Sequence, residues 1–339
     1  MEIKLLHELI ADGYICMQKH PETDYFIYNY TAKTQYERAW NDWTLMARGL
    51  ILNQNHKVVA RPFRKFFNLE EHQPHEIPTE NFEVYEKMDG SLGILYWYNG
   101  QPFIASRGSF NSEQSLKATQ MLYQKYTHTF ALLNPAKTYL FEIIYPENRI
   151  VVNYGTQEDL ILLAVIDNQT GQDEPLVDIG FPLVTRYDGI DDLKALQSLH
   201  EANREGFVIK FKSGFRVKVK FEEYVRLHRI LTHVSSRNIW EYLATNQSFE
   251  EILEKVPDEF YNWVKKTVAE LTADYQSVET YCRTHFRDLG NRKDTAMYFQ
   301  TLRYPGILFA MLDKRDYSPL IWKLVKPAYE KPFRIVEDN

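Results

Sequence analysis

The spacing of apolar residues changes once along this chain, near residue 222, and that change constrains the fold more than any other feature. Between residues 25 and 220, short runs rich in β-branched and aromatic residues predict strands. After residue 222 the apolar residues recur every three to four positions, which is typical of helices. We therefore predict an α+β fold, with a core of largely antiparallel sheets in residues 1–234 and an all-helical domain in residues 235–339.

The same patterns predict individual elements. The predicted strands are 25–30, 50–52, 84–87, 92–98, 103–106, 139–144, 160–166, 206–211 and 215–220. The predicted helices are 3–11, 113–133, 191–202, 224–231, 239–244, 249–256, 259–286 and 295–302.

Composition narrows the class of protein. The chain has 339 residues, of which 44% are hydrophobic and 25% charged, as in an ordinary globular protein. Cys16 and Cys282 are its two cysteines, which argues against a disulfide framework and favours the cytoplasm. We expect no signal peptide and no membrane association. The net charge of −6 counts against a general nucleic-acid binder, although basic residues concentrate between 204 and 237.

The segment Lys87-Met88-Asp89-Gly90-Ser91 carries the strongest chemical signal. It places a lysine before an acid-glycine turn, between two apolar runs that read as strands. A lysine held at such a junction is suited to act as a covalent nucleophile. The alternative is a β-hairpin in which Asp-Gly makes the turn and the lysine faces water.

Further polar groups occupy the neighbouring strands and loops. Arg107 stands in a Ser-Arg-Gly-Ser loop, where the glycine permits close approach of a phosphate and the arginine can bind it, unless this is an ordinary loop. Glu142 and Glu205 border apolar strand residues, and a buried acid needs a partner or a metal. Lys218 and Lys220 share one strand face, directed either at water or at a polyphosphate.

The order of these segments resembles that of the lysine-nucleotidyltransferase superfamily, which includes DNA ligases, RNA ligases and mRNA-capping enzymes. The chain is most similar to the bacteriophage RNA ligase 1 family, which repairs nicked tRNA anticodon loops. Further segments carry this resemblance, namely 28–30, 47–51, 64–69, 148–151, 223–228 and 292–297. Arg107 departs from the family pattern, which has lysine there, and the helical domain is shorter and divergent.

The resemblance implies a nucleotidyltransferase core and an ATP-dependent RNA ligase. Lys87 would attack the α-phosphate of ATP to form lysyl-AMP, AMP would pass to an RNA 5′-phosphate, and a 3′-OH would seal the strand. The implied catalytic residues are Lys87, Glu142, Lys218 and Lys220. The implied nucleotide-binding residues are Arg48, Lys65, Phe67, Glu86, Lys87, Gly90, Arg107, Glu142, Glu205, Lys218, Lys220 and Tyr224.

The resemblance also implies a metal and partners. Asp89, Glu142 and Glu205 would hold Mg²⁺ or Mn²⁺, directly or through water. RNA ends with a 5′-phosphate and a 3′-OH would be the substrate, with a nicked tRNA and an end-healing kinase-phosphatase as candidate partners. We expect the helical domain to dock RNA through basic residues, unless it is a cap that only stabilises the core. Those residues are Arg283, Arg287, Arg292 and Lys293.

Three other functions stay open at this point. A DNA ligase or capping enzyme normally carries an OB-fold domain after the core, whereas that region reads as helical here. A catalytically inactive binding module would not need to keep Lys87, Glu142, Glu205 and Lys220 together. A hydrolase unrelated to ligases would require the ordered segments to coincide by accident.

Overall fold

The computed structural model describes residues 2–190, 193, 196, 203–222, 224–225, 235–247 and 260–327. The chain divides into two compact units, Met1–His228 and Arg229–Asn339. In the described parts, all strands belong to the first unit and the second unit has helices. The predicted α+β class is therefore confirmed, while the sequence placed the division between residues 234 and 235.

The first unit holds three sheets. Its strands are β1 (Ile15–Lys19), β2 (Tyr25–Tyr30), β3 (Arg48–Asn53), β4 (Val58–Ala60), β5 (Phe67–Asn68), β6 (Phe82–Lys87), β7 (Ser91–Tyr98), β8 (Gln101–Ser106), β9 (Lys137–Ile144), β10 (Asp159–Asp167), β11 (Asp173–Glu174), β12 (Arg186–Tyr187), β13 (Gly206–Phe211) and β14 (Arg216–Lys220). The first sheet has the strand order β1-β2-β3-β4, the second β11-β10-β9-β7-β8, and the third β12-β6-β13-β14-β5. These strands pair antiparallel except β14 with β5, which supports the predicted pairing.

Helices flank the sheets and form the second unit. The described α-helices are α1 (Ile3–Ala11), α2 (Ala32–Glu37), α3 (Asp42–Met46), α4 (Glu113–Lys125), α5 (Ser236–Thr245), α6 (Phe260–His285), α7 (Arg292–Gln300), α8 (Pro305–Leu312) and α9 (Ser318–Leu324). The 3-10 turns are Leu69–Glu71, Pro74–Glu76, Thr127–Leu132 and Pro146–Asn148. Across the described ranges, no helix combines the length and apolar character needed to cross a membrane.

The second sheet is buried on both faces, which explains why its strands read as nearly continuous apolar runs. Along β7, Leu95 belongs to the cluster that contains Leu122 of α4. Its neighbours Ile94 and Tyr96 belong to the cluster that contains Ile51 of the first sheet. Successive side chains of a strand point to opposite faces, so this alternation packs one strand into two cores. Full burial of such side chains stabilises the fold by roughly 1.5–3 kcal/mol each.

The third sheet has its own core. Val84, Phe207, Ile209 and Val217 from three adjacent strands are buried in one cluster. These residues occupy alternate positions, so the remaining positions of the same strands face the other side of the sheet. That other side carries most of the polar residues described below.

Most predicted elements are confirmed, with two kinds of exception. Strands 25–30 and 206–211 match to the residue, but the predicted helix 113–133 is too long. The α-helix ends at Lys125, because Tyr126 has φ of −121° and its hydroxyl hydrogen-bonds Asp159, and a 3-10 turn follows. The sequence did not predict β1, β4, β5, β11, β12, α2, α3, α8 and α9. The predicted helices at 191–202, 224–231 and 249–256 lie wholly or largely outside the described residues.

In the second unit, capping residues fix where the helices start and stop. The Ser235 side chain accepts a hydrogen bond from the Asn238 backbone N–H, and α5 starts there. Asn246 ends α5 in the left-handed conformation, which asparagine tolerates better than most residues. The Asn291 side chain likewise caps α7, so the predicted helix 295–302 begins earlier, at Arg292.

Candidate active site

Lys87 is the last residue of β6, and the chain after it crosses from the third sheet to the second. β6 pairs with β12 and β13, whereas β7 pairs with β8 and β9. The β-hairpin interpretation of this segment is therefore wrong. Gly90 makes the crossing possible, since a Cβ on it would lie 2.6 Å from the Ile143 carbonyl oxygen. The turn thus brings Lys87 beside residues of the second sheet.

Glu205 joins two lysines from neighbouring strands. Gly206 lies opposite Lys87 on one side and opposite Lys220 on the other. The Glu205 Oε1 atom is 2.8 Å from Lys87 Nζ and 3.2 Å from Lys220 Nζ. Gly206 has φ of +147°, and a Cβ there would lie 1.9 Å from the Val219 carbonyl oxygen. Only glycine fits this position, so the backbone geometry fixes the triad of Lys87, Glu205 and Lys220.

Burial and the two lysines have opposite effects on the ionisation of Glu205. Glu205 is only 3% exposed. Burial opposes its ionisation, but Lys87 and Lys220 outweigh this and hold the pKa of the Glu205 carboxyl below its ordinary value. The ionised carboxylate in turn keeps both ammonium groups in fixed positions through its Oε1 atom.

Glu142 reaches the same place from the second sheet. It lies on β9, opposite Leu92 of β7, and its Oε1 accepts a hydrogen bond of 2.9 Å from the Gly90 backbone N–H. Burial raises the pKa of Glu142 to about 7, Lys87 opposes this rise, and the nearby carboxylates Glu205 and Asp89 add to it. Because removing a carboxylate from water disfavours its charge, this group would bind a cation readily.

Asp89 is buried and its carboxylate is fully used within the protein. Its Oδ2 accepts hydrogen bonds from the backbone N–H groups of Val151 and Val152 at 2.8 and 2.7 Å, and its Oδ1 accepts one from the Tyr224 hydroxyl at 2.8 Å. The Asp89 backbone N–H donates to the Tyr154 hydroxyl at 2.8 Å. Asp89 therefore fastens the turn after Lys87 to the 151–154 segment.

The three residues predicted to hold a metal differ in how their carboxylates are engaged. In the parts of the chain that the structure describes, no three acidic, histidine or cysteine side chains form a group that could hold a metal ion. Backbone and tyrosine donors engage both oxygens of Asp89, and two lysines engage the Oε1 atom of Glu205, so both carboxylates are less open to a direct metal bond than Glu142. Glu142 does fit, since no described group donates to its Oε2 and a cation would favour its ionised form. Mg²⁺ is commonly held by one or two carboxylates together with substrate phosphates.

A second group of cations surrounds Tyr30. The ammonium of Lys65 lies 5.5 Å from the Tyr30 ring centre, 5.8 Å from Trp40 and 5.5 Å from Phe67. The Arg107 guanidinium lies 5.6 Å from the same Tyr30 ring. Lys65 is buried whereas Arg107 is exposed. Aromatic faces attract cations, and the shared Tyr30 ring places these two positive charges close together.

Arg48 belongs to this group through the first sheet. Its guanidinium lies 5.8 Å from the Phe66 ring, and its Nη1 is buried without a hydrogen-bond partner among the described residues. The next residue, Gly49, has φ of +100°, and a Cβ on it would lie 3.0 Å from the Arg107 carbonyl oxygen. This close approach sets the Ser-Arg-Gly-Ser loop against β3, next to the strand residue that follows Arg48.

The other predicted site residues take varied positions. Lys218 is buried on β14, opposite Val208. Phe67 lies on β5 beside Val217, and Glu86 on β6 has its Oε1 3.9 Å from Nε of Arg204. Tyr224, expected to shape the nucleotide pocket, is buried; its hydroxyl donates to Asp89, and the Lys220 ammonium lies 5.3 Å from its ring.

The sequence reading missed the residues that hold the turn. Tyr154 accepts from the Asp89 N–H, and Asn148 accepts from the Ser91 hydroxyl at 3.1 Å while donating to the Ile143 carbonyl at 2.9 Å. Asn148 stands in the family-like segment 148–151, for which the sequence alone predicted no individual roles. That segment was the available signal, and its function is visible only in three dimensions.

In the second unit, two of the four predicted RNA-binding residues are already engaged. Arg283 Nη2 hydrogen-bonds Glu279 Oε1 at 2.9 Å and the Tyr317 hydroxyl at 3.0 Å. Arg292 forms an ion pair of 3.1 Å with Asp313. Arg287 and Lys293 are exposed.

Comparison with known proteins agrees with this site. Residues 46–180 match the family model of T4-type RNA ligase 1, described as RNA ligase. Over this segment, which is less than half of its length, the chain is similar to that RNA ligase family. The matched segment includes Lys87, Asp89 and Glu142, and the resemblance inferred from the sequence is confirmed.

Three relatives carry matching names. A putative RNA ligase of Thermovibrio ammonificans is 34% identical over 52% of this chain and 51% of its own length. A putative bifunctional polynucleotide kinase/RNA ligase of Autographa californica nuclear polyhedrosis virus is 27% identical over 71% of this chain and 39% of its own length. An RNA ligase of Rhodothermus phage RM378 is 23% identical over 83% and 79%. The chain thus spans about half or less of the length of the first two.

Among solved structures, a Naegleria gruberi RNA ligase with diphosphate is similar at a TM-score of 0.39 and 18% identity, covering 49% of this chain and 57% of that one. A putative ATP-dependent DNA ligase from Aquifex aeolicus is similar at a TM-score of 0.48 and 14% identity, covering 93% and 100%.

Proposed function

We propose that this protein is an ATP-dependent RNA ligase that joins 5′-phosphate and 3′-OH ends through lysyl-AMP and RNA-adenylate intermediates. One observation carries the proposal: Lys87 stands between the Glu205–Lys220 pair and Glu142, at the crossing between two sheets. A lysine fixed in this way, with cations on the neighbouring strands and loops, is arranged to attack a phosphorus atom rather than to face water.

The first step follows from these positions. The Lys87 amine, once its proton has left, forms a bond to the α-phosphorus of ATP, and the bond from that phosphorus to the bridging oxygen breaks to release diphosphate. Lys218 and Lys220 offset the charge that develops on the α-phosphate. Arg48 and Lys65 hold the departing diphosphate, with Arg107 beside them. These charges are in place before the reaction, which is what electrostatic preorganisation requires.

Glu142 is the residue that would hold a divalent metal, Mg²⁺ or Mn²⁺. When bound, such a metal neutralises charge on the phosphates. Asp89 contributes differently, by fixing the turn that carries Lys87 and Gly90. Glu205 orients both lysines, so its carboxylate acts on the nucleophile and not on the metal.

The later steps transfer AMP to the RNA 5′-phosphate and release it when the 3′-OH attacks. Candidate substrates include a nicked tRNA anticodon loop, whose ends a kinase-phosphatase would have to prepare. We place this activity in the cytoplasm, or in the host cytoplasm if the protein is viral, which agrees with Cys16 and Cys282 being thiols and not a disulfide.

The helical unit is proposed to dock the RNA, while residues 1–234 perform the chemistry. Arg287 and Lys293 are the better candidates for phosphate contacts, since Arg283 and Arg292 already have acidic partners. Replacing both Arg287 and Lys293 with Glu should reduce sealing of a nicked tRNA more than sealing of a short linear RNA, with Lys323→Glu as a matched control. Equal effects on both RNAs would mean that the unit only stabilises the core.

The function is tested by separating the steps. Lys87→Ala should lose sealing of ordinary RNA with ATP but retain sealing of a pre-adenylated RNA, because only the first step needs the amine. Sealing of both substrates at the wild-type rate by Lys87→Ala would reject the proposed nucleophile. Efficient sealing of DNA ends, or an adduct with GMP alone, would replace the RNA ligase proposal with a DNA ligase or capping function.

A further inference from the structure

We infer that Asn29 is a further nucleotide-binding residue, whose side-chain amide contacts the same phosphate oxygens as Arg48. The inference rests on the proposed function and assigns a role to one residue of the family-like segment 28–30, for which the sequence predicted none.

Asn29 and Arg48 lie directly opposite each other on β2 and β3. Side chains that face each other across an antiparallel pair are about 4.5–5.5 Å apart at their Cβ atoms. The Asn29 Oδ1 and the Arg48 Nη1 are both buried, and neither has a hydrogen-bond partner among the described residues. Unpaired buried polar atoms destabilise a fold, so two of them side by side indicate a position that a ligand fills.

Asparagines with a structural role in the same unit use both the oxygen and the NH₂ group of the side chain in hydrogen bonds. The Asn168 side chain donates to the Val59 carbonyl at 3.1 Å and accepts from the Thr138 hydroxyl at 2.5 Å. Asn148 is satisfied at both ends as well. The Asn29 amide makes no comparable contact in the described part of the chain, so it holds no part of the fold together.

The surroundings of Asn29 select an anion. The side chain of Asn29 lies against Gly108, where a Cβ would be 3.7 Å from Nδ2. Gly108 follows Arg107, whose guanidinium stands over the ring of Tyr30 together with the ammonium of Lys65. Arg48 is thus opposite Asn29 in the strand pairing, and the other two cations lie over the ring of the next residue, Tyr30. Rotation of an asparagine amide exchanges its oxygen and its NH₂ group without changing its shape, and the NH₂ group can donate to a phosphate beside Arg48.

The test measures binding and stability together. Wild type, Asn29→Ala and Asn29→Asp are compared by calorimetric titration with ATP and with inorganic diphosphate, and by thermal unfolding. Asn81→Ala and Asn81→Asp, at an exposed position of the same unit, serve as controls for loss of an amide and gain of a charge. Sealing of a pre-adenylated RNA, which needs no ATP, is measured for every variant.

We expect Asn29→Ala to raise the dissociation constants for ATP and diphosphate about tenfold or more, as for loss of a hydrogen bond to a charged group. Asn29→Asp should weaken binding further while unfolding at or above the wild-type temperature, since its carboxylate would pair with Arg48 and repel phosphate. A structural role predicts the reverse pattern, in which both variants unfold at lower temperature and bind ATP normally.

The inference is wrong if both Asn29 variants bind ATP and diphosphate with wild-type affinity. That outcome is also expected if the position holds only a water molecule. Failure of the proposed function is a separate outcome, since in that case wild type itself would bind neither ATP nor diphosphate and would form no AMP adduct. Normal sealing of pre-adenylated RNA by an Asn29 variant that binds ATP weakly supports a role confined to the nucleotide.

Discussion

Replacing Asp89 distinguishes a carboxylate that holds the turn from one that holds a metal. The Asp89 carboxylate accepts three hydrogen bonds, from Val151, Val152 and Tyr224. Hydrogen bonds to a charged group contribute about 1.5–3 kcal/mol each, so Asp89→Ala should destabilise the protein by upwards of ~4 kcal/mol. In a unit of this size 1 kcal/mol corresponds to roughly 2–4 °C, which predicts a fall in the unfolding temperature of about 8–16 °C.

Asp89→Asn should be much milder. Its amide oxygen can keep both backbone N–H donors, while its NH₂ group faces Tyr224, whose hydroxyl can accept as well as donate. We expect a loss of about 1–2 kcal/mol of stability, since a neutral acceptor replaces a charged one. Adenylation should then be slower because the turn is less firmly held, yet its dependence on metal concentration should be unchanged.

The assay is thermal unfolding of wild type and both variants, followed by titration of AMP-adduct formation with Mg²⁺. The exposed Asp12→Ala is the control for removing a carboxylate elsewhere in the unit. The reasoning is refuted if Asp89→Ala unfolds at the wild-type temperature, or if Asp89→Asn requires far more Mg²⁺ while remaining as stable as wild type. Either result would return Asp89 to the metal site.

Three further predictions concern pH and packing. Burial raises the pKa of Glu142 to about 7 from an ordinary 4.5, so the contribution of this carboxyl to stability should fall as pH rises between these values. In thermal unfolding measured across pH, Glu142→Gln should abolish this decline. Burial lowers the pKa of His20, opposed by Glu22, so stability should be lost as pH falls below about 6.5, and His20→Gln should lessen that loss. Gly206→Ala should destabilise the protein by roughly 2–6 kcal/mol in urea unfolding, since its Cβ would lie 1.9 Å from the Val219 carbonyl oxygen; wild-type stability would contradict the packing.

The sequence predicted the polar residues better than it predicted their connections. Strand patterns in the sequence identified Lys87, Glu205 and Lys220 one by one. The antiparallel pairing of β13 with β6 and β14 then brings them together, because Gly206 lies opposite both lysines. The partners of Asp89 were not predictable, because two are backbone N–H groups more than sixty residues away and carry no signature of their own.

Local sequence patterns also gave wrong predictions where the same pattern is compatible with two different structures. An acid-glycine turn between two apolar runs reads as a hairpin, but here it crosses between sheets, and only the pairing of distant strands decides which occurs. The short helices α8 and α9 were missed, although Pro305 and Pro319 stand in their first turns, where proline is favoured. The end of α4 at Lys125 depends on a contact of Tyr126 with Asp159, which is remote in sequence.

The most direct test of the account is the mass of the intact protein after incubation with ATP and Mg²⁺, followed by peptide mapping. We predict a covalent adduct of one AMP, located on Lys87, absent from Lys87→Ala and removed by excess diphosphate, which reverses the step. An unmodified protein, or an adduct on any other lysine, would contradict the claim that Lys87 is the nucleophile.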